Sequence, residues 1–215
     1  RLRRERGISD RERFARLLHR AGALAAMMKL RRYAPVSTVS ILTYHHIADE
    51  DAAYPYDAGV ADATPQQFRR QMEMLARYGT PIGVDELIRA LDGAPLPKNP
   101  VLVTFDDGYR SCHDVVLPIL RAVGMRATFF MPTGYITYRR LYWWERIAVC
   151  LPQTHVPKAA ITYPKRLEIA SRDPASQNTL ADLVKITPNL DIARFLDELY
   201  VAFRVDWNDE IETMH

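Results

Sequence analysis

The stretch that most limits what this chain can fold into runs from Pro100 to Arg110, Pro-Val-Leu-Val-Thr-Phe-Asp-Asp-Gly-Tyr-Arg. Val101 to Phe105 is an almost continuous apolar run, rich in β-branched residues, with Asn99-Pro100 before it. That composition predicts a strand buried on both faces, as in a parallel sheet or a barrel. The run ends in two neighbouring carboxylates, Asp106 and Asp107, followed by Gly108. Adjacent like charges repel inside a core, so the pair must face water, a cation or a proton-sharing task. Gly108 permits a sharp turn and leaves the pair at the C-terminal lip of the strand, where α/β folds place their chemistry. One carboxylate can then hold a metal while its neighbour, aimed differently, handles a proton.

Thr104-Phe105-Asp106-Asp107-Gly108 matches in full the first motif of a known enzyme family, the polysaccharide deacetylases (NodB-homology, or carbohydrate esterase 4). Leu42-Thr43-Tyr44-His45 resembles that family's first barrel strand, and Ala127-Thr128-Phe129-Phe130-Met131-Pro132 resembles the strand after the motif. Order and spacing agree, so the resemblance covers residues 38–135. It implies an α/β fold, the first part of a distorted (β/α) barrel. It also implies metal-dependent removal of N-acetyl groups from amino sugars of a polysaccharide or glycan precursor. Carried over residue by residue, Asp106 is the catalytic base and Asp107 a metal ligand. His45 and Tyr109 are further candidates to line the site or touch substrate. The expected cofactor is a divalent metal, zinc first.

The sequence departs from the family in one important respect. The family's remaining ligands lie in His-Ser/Thr-x-x-His, and none of the six histidines here (His19, His45, His46, His113, His155, His215) stands three to five residues from another. One carboxylate does not make a zinc site, for which three protein ligands are usual. Arg172-Asp173-Pro174-Ala175 lacks the aromatic of the family's Arg-x-Pro-aromatic motif, and Leu17-Leu18-His19 comes too early to be its Leu-x-His. The expectation is a truncated chain, begun at Arg1 and cut at His215, with the missing motifs beyond it and no activity of its own. An alternative is a non-catalytic half-barrel that binds a partner. A phosphatase with an aspartyl nucleophile needs Asp-x-Asp after the strand, which the adjacent acids disfavour.

Around this core the chain divides into four expected parts. Residues 1–34 carry a basic amphipathic helix, 35–134 the first half of the barrel, 135–205 an insertion of helices and a hairpin, and 206–215 the start of the remaining half. The net charge of +3 sits at the N-terminus, where residues 1–32 hold eleven Lys and Arg against three Asp and Glu. Over residues 10–31, Phe14, Leu17, Leu18, Ala21, Leu24, Ala25 and Met28 follow helical spacing, with Asp10 as N-cap. Packing on the domain is the favoured role of that helix; peripheral contact with an anionic membrane is the other, and no nucleic-acid partner is expected. The sequence shows no signal peptide and no transmembrane segment, so the expected location is cytoplasmic or membrane-peripheral. Cys112 and Cys150 are too few for a disulfide scaffold and are expected as free thiols.

Secondary structure is expected as strands at 38–45, 81–84 and 126–131 and helices at 65–78, 85–91 and 111–123, with a loop over 50–64. Beyond Gly134 the alternation stops. A helix over 141–150 with the aromatic run Tyr142-Trp143-Trp144, a hairpin across Pro164-Lys165-Arg166, and helices at 174–186 and 189–204 follow. The aromatic run is assigned to packing rather than to stacking on sugar rings.

Overall fold

A computed structural model describes residues 23–31, 33, 38–49, 57–138 and 140–206. Of the helix expected over residues 10–31, Asp10 and the other residues before Ala23 lie outside the described residues; Ala23–Arg31 is helical, α1. The described chain forms two compact units. The first comprises Pro65–Asp106 and Asp114–Phe130 with the chain up to Tyr44; the second comprises His45–Thr64, Asp107–His113 and the chain from Met131 onward.

The first unit is built on the apolar run. It forms β5, Pro100–Phe105, every residue of which is buried. β1, Ser40–Tyr44, runs parallel to it in register from Ser40 opposite Val101 to Tyr44 opposite Phe105. On the other edge β4, Thr80–Pro81, pairs with its first two residues and β6, Thr128–Phe129, with its last two, both parallel. The expected mixed α/β arrangement with a parallel sheet is therefore present. A strand enclosed in this way must have its faces covered, and α2, Pro65–Tyr78, supplies Phe68, Met72 and Leu75 along one stripe. Phe68 meets Tyr44 and Phe105 edge-on at 5.3 and 5.6 Å. α3, Val84–Leu91, completes the segment before β5.

Two differences from expectation have local causes. The strands predicted over 81–84 and 126–131 are shortened to two residues each, because each finds only one end of β5 free to pair. The helix predicted over 111–123 contains a π-helical turn, Cys112–Val116, before α4, Leu117–Val123. Pro118 has no N–H to return to the carbonyl four residues back, and a widened turn before it accommodates the ring. Gly124 ends α4 in the left-handed conformation, φ 69°.

In the second unit part of the expected loop over 50–64 is ordered structure. β2, His46–Ile47, pairs in parallel with β3, Ala61–Ala63, and a 3-10 turn at Ala58–Val60 is capped by Asp57, whose Oδ1 accepts Gly59 N–H at 2.8 Å. Ala-Asp-Ala carries no apolar signal of a strand; pairing with β2 makes it one. α5, Thr133–Tyr138, and α6, Trp143–Gln153, precede an antiparallel hairpin of β7, Lys158–Ile161, and β8, Leu167–Ala170. α7, Ala175–Ile186, and α8, Ile192–Phe203, follow. Ile147, Cys150, Ile161, Ile169, Leu180, Phe195, Leu199 and Phe203 form their common core. Both cysteines are free and buried, and burial pushes their thiols up to about 11 for Cys112 and about 12 for Cys150. Neither is a nucleophile at neutral pH. No described helix is long and apolar enough to cross a membrane.

Candidate active site

β5 carries the chain straight to the two carboxylates. Asp106 N–H donates to Tyr44 O at 2.9 Å, which extends the β1–β5 ladder one residue past Phe105. The chain then turns sharply: Asp107 and Gly108 both adopt the left-handed conformation, at φ 67° and 66°. For an aspartate this costs about 1 kcal/mol, so the conformation persists only where neighbours enforce it. One of them is Tyr142, whose hydroxyl donates to the Asp107 carbonyl. A Cβ on Gly108 would lie 2.8 Å from Met131 Cε, the end of an exposed, flexible side chain that can move aside. The positive φ is what favours glycine, and Gly108→Ala is thus expected to cost roughly 1 kcal/mol. Urea unfolding checks it, and an unchanged midpoint would contradict this account of the turn.

Tyr109, one residue on, is 1% exposed. Its hydroxyl donates to Glu145 Oε1 at 2.6 Å and accepts from Trp144 Nε1 at 3.1 Å. The other oxygen of Glu145 accepts the Asp57 N–H at 2.6 Å. Glu145 is fully buried, so these bonds replace water on a carboxylate that would otherwise be costly to enclose. Trp144 stacks on Tyr142 at 4.4 Å with the rings 3° from parallel, and His46 stacks on Tyr109 at 4.6 Å and 10°. The Asp107-Gly108-Tyr109 turn is thereby held by an aromatic cluster with one acid at its centre.

The predicted site residues are not all brought together. Asp107 and Tyr109 share the turn, and Asp106 directly precedes it at the end of β5. His45 is partly exposed and points to Asp62, whose Oδ2 lies 3.2 Å from His45 Nδ1 and accepts the His45 N–H at 2.5 Å. His45 lies in the bend between β1 and β2, and His46, the first residue of β2, is the one on the Tyr109 ring. His113 and His155 are exposed. Within the aromatic run, Tyr142 and Trp144 hold the motif turn, and Trp143 packs on the core of the second unit. Glu145 was not singled out by sequence reasoning. Its one signal is an acid directly after Tyr142-Trp143-Trp144, where the helix goes on to Ile147-Ala148-Val149.

His46 and Glu145 make opposite contributions to stability as pH changes. Burial lowers the His46 imidazole from 6.5 to about 4, against a smaller opposing pull from Asp62. Its contribution is complete above pH 6.5 and is lost as pH falls toward 4. Burial raises the Glu145 carboxyl from 4.5 to about 7, against the hydrogen bonds from Tyr109 and the Asp57 N–H; the Asp57 and Asp107 charges push the same way as burial. That contribution is complete below pH 4.5 and is lost as pH rises toward 7. Each amounts to roughly 3 kcal/mol, and in the native chain they offset one another across the shared window. His46→Gln is expected to become less stable between pH 5 and 7, and Glu145→Gln less stable between pH 6 and 4. Thermal melts across that range check the signs; parallel profiles for the two variants would contradict them.

Asp107 offers one hard oxygen donor of the kind a divalent cation takes. Among the described residues no three His, Cys, Asp or Glu side chains are grouped closely enough to hold a metal ion. The described donor set therefore fits one position of a metal centre and not a whole one.

A buried parallel strand thus ends in two acids at a constrained turn, which makes its C-terminal lip the candidate site. Residues 93–158 match the family model described as polysaccharide deacetylase. Poly-beta-1,6-N-acetyl-D-glucosamine N-deacetylase of Escherichia coli K12 is 34% identical over 83 residues, 38% of this chain and 12% of the relative, and its counterpart in Escherichia coli O157:H7 matches equally. The family-model match includes both acids, Asp106 and Asp107. The match to the curated relative spans only 12% of that relative's length. Among solved structures, the Streptococcus pyogenes deacetylase PplD in complex with acetate is 27% identical with a TM-score of 0.43, over 54% of this chain and 53% of that one. A de-N-acetylase from Aggregatibacter actinomycetemcomitans is 20% identical with a TM-score of 0.38, over 69% of this chain and 52% of that one.

Proposed function

We propose that the chain carries the base-bearing half of a deacetylase site that hydrolyses the acetamide of N-acetylated amino sugars in a polysaccharide or glycan precursor. The observation that carries the reading is the pair of acids at the end of β5, inside the stretch matched by the deacetylase family. The substrate class is taken from that family and from the E. coli relative's name.

The two acids are not equivalent in this structure, and the proposed roles follow the difference. Asp106 still belongs to the sheet through its N–H, so its carboxylate is anchored to the end of the fully buried strand β5. A general base needs that fixity to stay within reach of the proton that it takes. Asp106 is assigned the proton of the attacking water and its transfer toward the leaving amine. Asp107 sits on the turn, with its carbonyl held by Tyr142. It is assigned as one ligand of a divalent cation, which when bound would polarise the acetyl carbonyl. Other donors must complete that centre.

The test is acetate release from N-acetylglucosamine oligomers, with zinc present and after chelation. It is run on the 215-residue chain and on any longer form of the protein. The 215-residue chain is expected to be inactive, since one carboxylate holds a cation only weakly. Zinc-dependent release by it would overturn the ligand assignment. No release by any form would overturn the deacetylase reading itself.

A further inference from the structure

The basic N-terminal segment has no part in the proposed reaction, and its described helix, α1, carries an apolar stripe that the first unit does not cover. Ala26, Met27, Leu30 and Tyr33 stand at positions i, i+1, i+4 and i+7, one face of a helix. Tyr33 continues that face past Arg31, because its N–H donates to the Leu30 carbonyl at 2.9 Å. Met27 is 60% exposed, Leu30 70% and Tyr33 82%. Single exposed apolar side chains are ordinary, but three large ones along two turns of one face make a patch suited to a partner.

The helix itself is not loose. Arg31, half-buried, donates to Ser40 Oγ, and to the Thr38 carbonyl and Oγ1 at 2.9 and 2.7 Å. These bonds fasten the last turn of α1 to the entry of β1, and α1 also lies beside α2. Packing on the domain, the role favoured from the sequence, is therefore met by Arg31, while the stripe still faces solvent.

The surrounding charge selects the partner. Residues 1–32 hold eleven Lys and Arg against three Asp and Glu. Lys29 is exposed at the flank of the stripe, and α2 exposes Arg69, Arg70 and Arg77 against one acid, Glu73. A second copy of the chain would bring this basic surface against itself. An anionic bilayer would instead take the apolar side chains into its acyl boundary and the cations among its headgroups. Tyr33 suits that boundary, with an apolar ring and a polar tip. Ile88 and Leu91 of α3 are exposed as well, but among Asp85, Glu86 and Asp92, which an anionic surface repels.

We infer that α1 docks on an anionic lipid surface, with Met27, Leu30 and Tyr33 entering the interface and the basic charge around them drawing the protein there. The inference stands apart from the deacetylase reading.

Flotation of the 215-residue chain with lipid vesicles tests it and needs neither metal nor turnover. Vesicles of phosphatidylcholine with phosphatidylglycerol are compared with vesicles of phosphatidylcholine alone. Binding to the anionic vesicles is expected to be at least tenfold tighter, and to weaken as salt is added. Leu30→Asp, which puts a charge into the stripe, is expected to lower the affinity tenfold or more. Lys29→Glu is expected to lower it about twentyfold, from two charge units at about fivefold each. Val201→Asp, at an exposed apolar position on α8, is expected to change nothing. All three positions are exposed, so unchanged unfolding midpoints should accompany these effects.

The inference is overturned by no binding to anionic vesicles, by equal binding to neutral ones, by full affinity in Leu30→Asp, or by an equal loss in Val201→Asp. A dimer in sedimentation that Leu30→Asp dissolves, without vesicle binding, would assign the stripe to a second copy. Binding of a duplex oligonucleotide without vesicle binding would assign the basic charge to nucleic acid.

Discussion

In a form of the protein that releases acetate, Asp106→Asn is expected to cut turnover by about 10²–10⁴-fold and to leave metal content and unfolding midpoint unchanged. The amide keeps the size of the carboxylate but cannot take a proton. Asp106 N–H donates to Tyr44 O, a backbone bond that the substitution does not touch. Asp107→Asn should differ in kind, losing affinity for the cation first and activity as a consequence. Its backbone conformation is tolerable for asparagine, which adopts the left-handed region more readily than most residues, so the fold should survive. Metal analysis after dialysis, set beside acetate release, tells the two apart. Equal metal content and equal residual activity in both variants would refute the division of roles.

Glu145→Ala should cost about 4 kcal/mol of stability. The carboxylate accepts from the Tyr109 hydroxyl and from the Asp57 N–H, and both donors would be left without it. Each stranded donor costs about 1–3 kcal/mol, and the space vacated in a close-packed cluster adds to it. Glu145→Gln should recover part of the loss, since one carbonyl oxygen can still accept one of the donors. Denaturant melts of the native chain and both variants at pH 5, where the native carboxyl is largely protonated, compare like with like. An alanine variant within 1 kcal/mol of the native chain would show that water takes over these bonds.

The apolar run from Val101, ended by two acids and a glycine, was enough to specify a fully buried parallel strand and a polar site at its lip. A strand with no polar alternation has few other stable environments, and adjacent carboxylates cannot be carried into its core. The helices with strong 3.6-residue patterns were equally legible: α2 over Pro65–Tyr78, and α8 over Ile192–Phe203. So was the hairpin around Pro164-Lys165-Arg166, found at Lys158–Ile161 and Leu167–Ala170.

The tertiary structure alone decided what surrounds the two acids. β3 is a strand because His46–Ile47 lies alongside it, a pairing that leaves no periodicity in Ala-Asp-Ala. The lengths of β4 and β6 follow from how much of β5 each can reach. Glu145 reads in sequence as an ordinary helical acid. It becomes the centre of the cluster because folding brings Tyr109 and the Asp57 N–H, both distant in the chain, to its two oxygens. Which of two adjacent histidines meets the motif turn was beyond the sequence for the same reason. The two flank the bend between β1 and β2, and only the packing of the Tyr109 ring selects His46 and leaves His45 to Asp62.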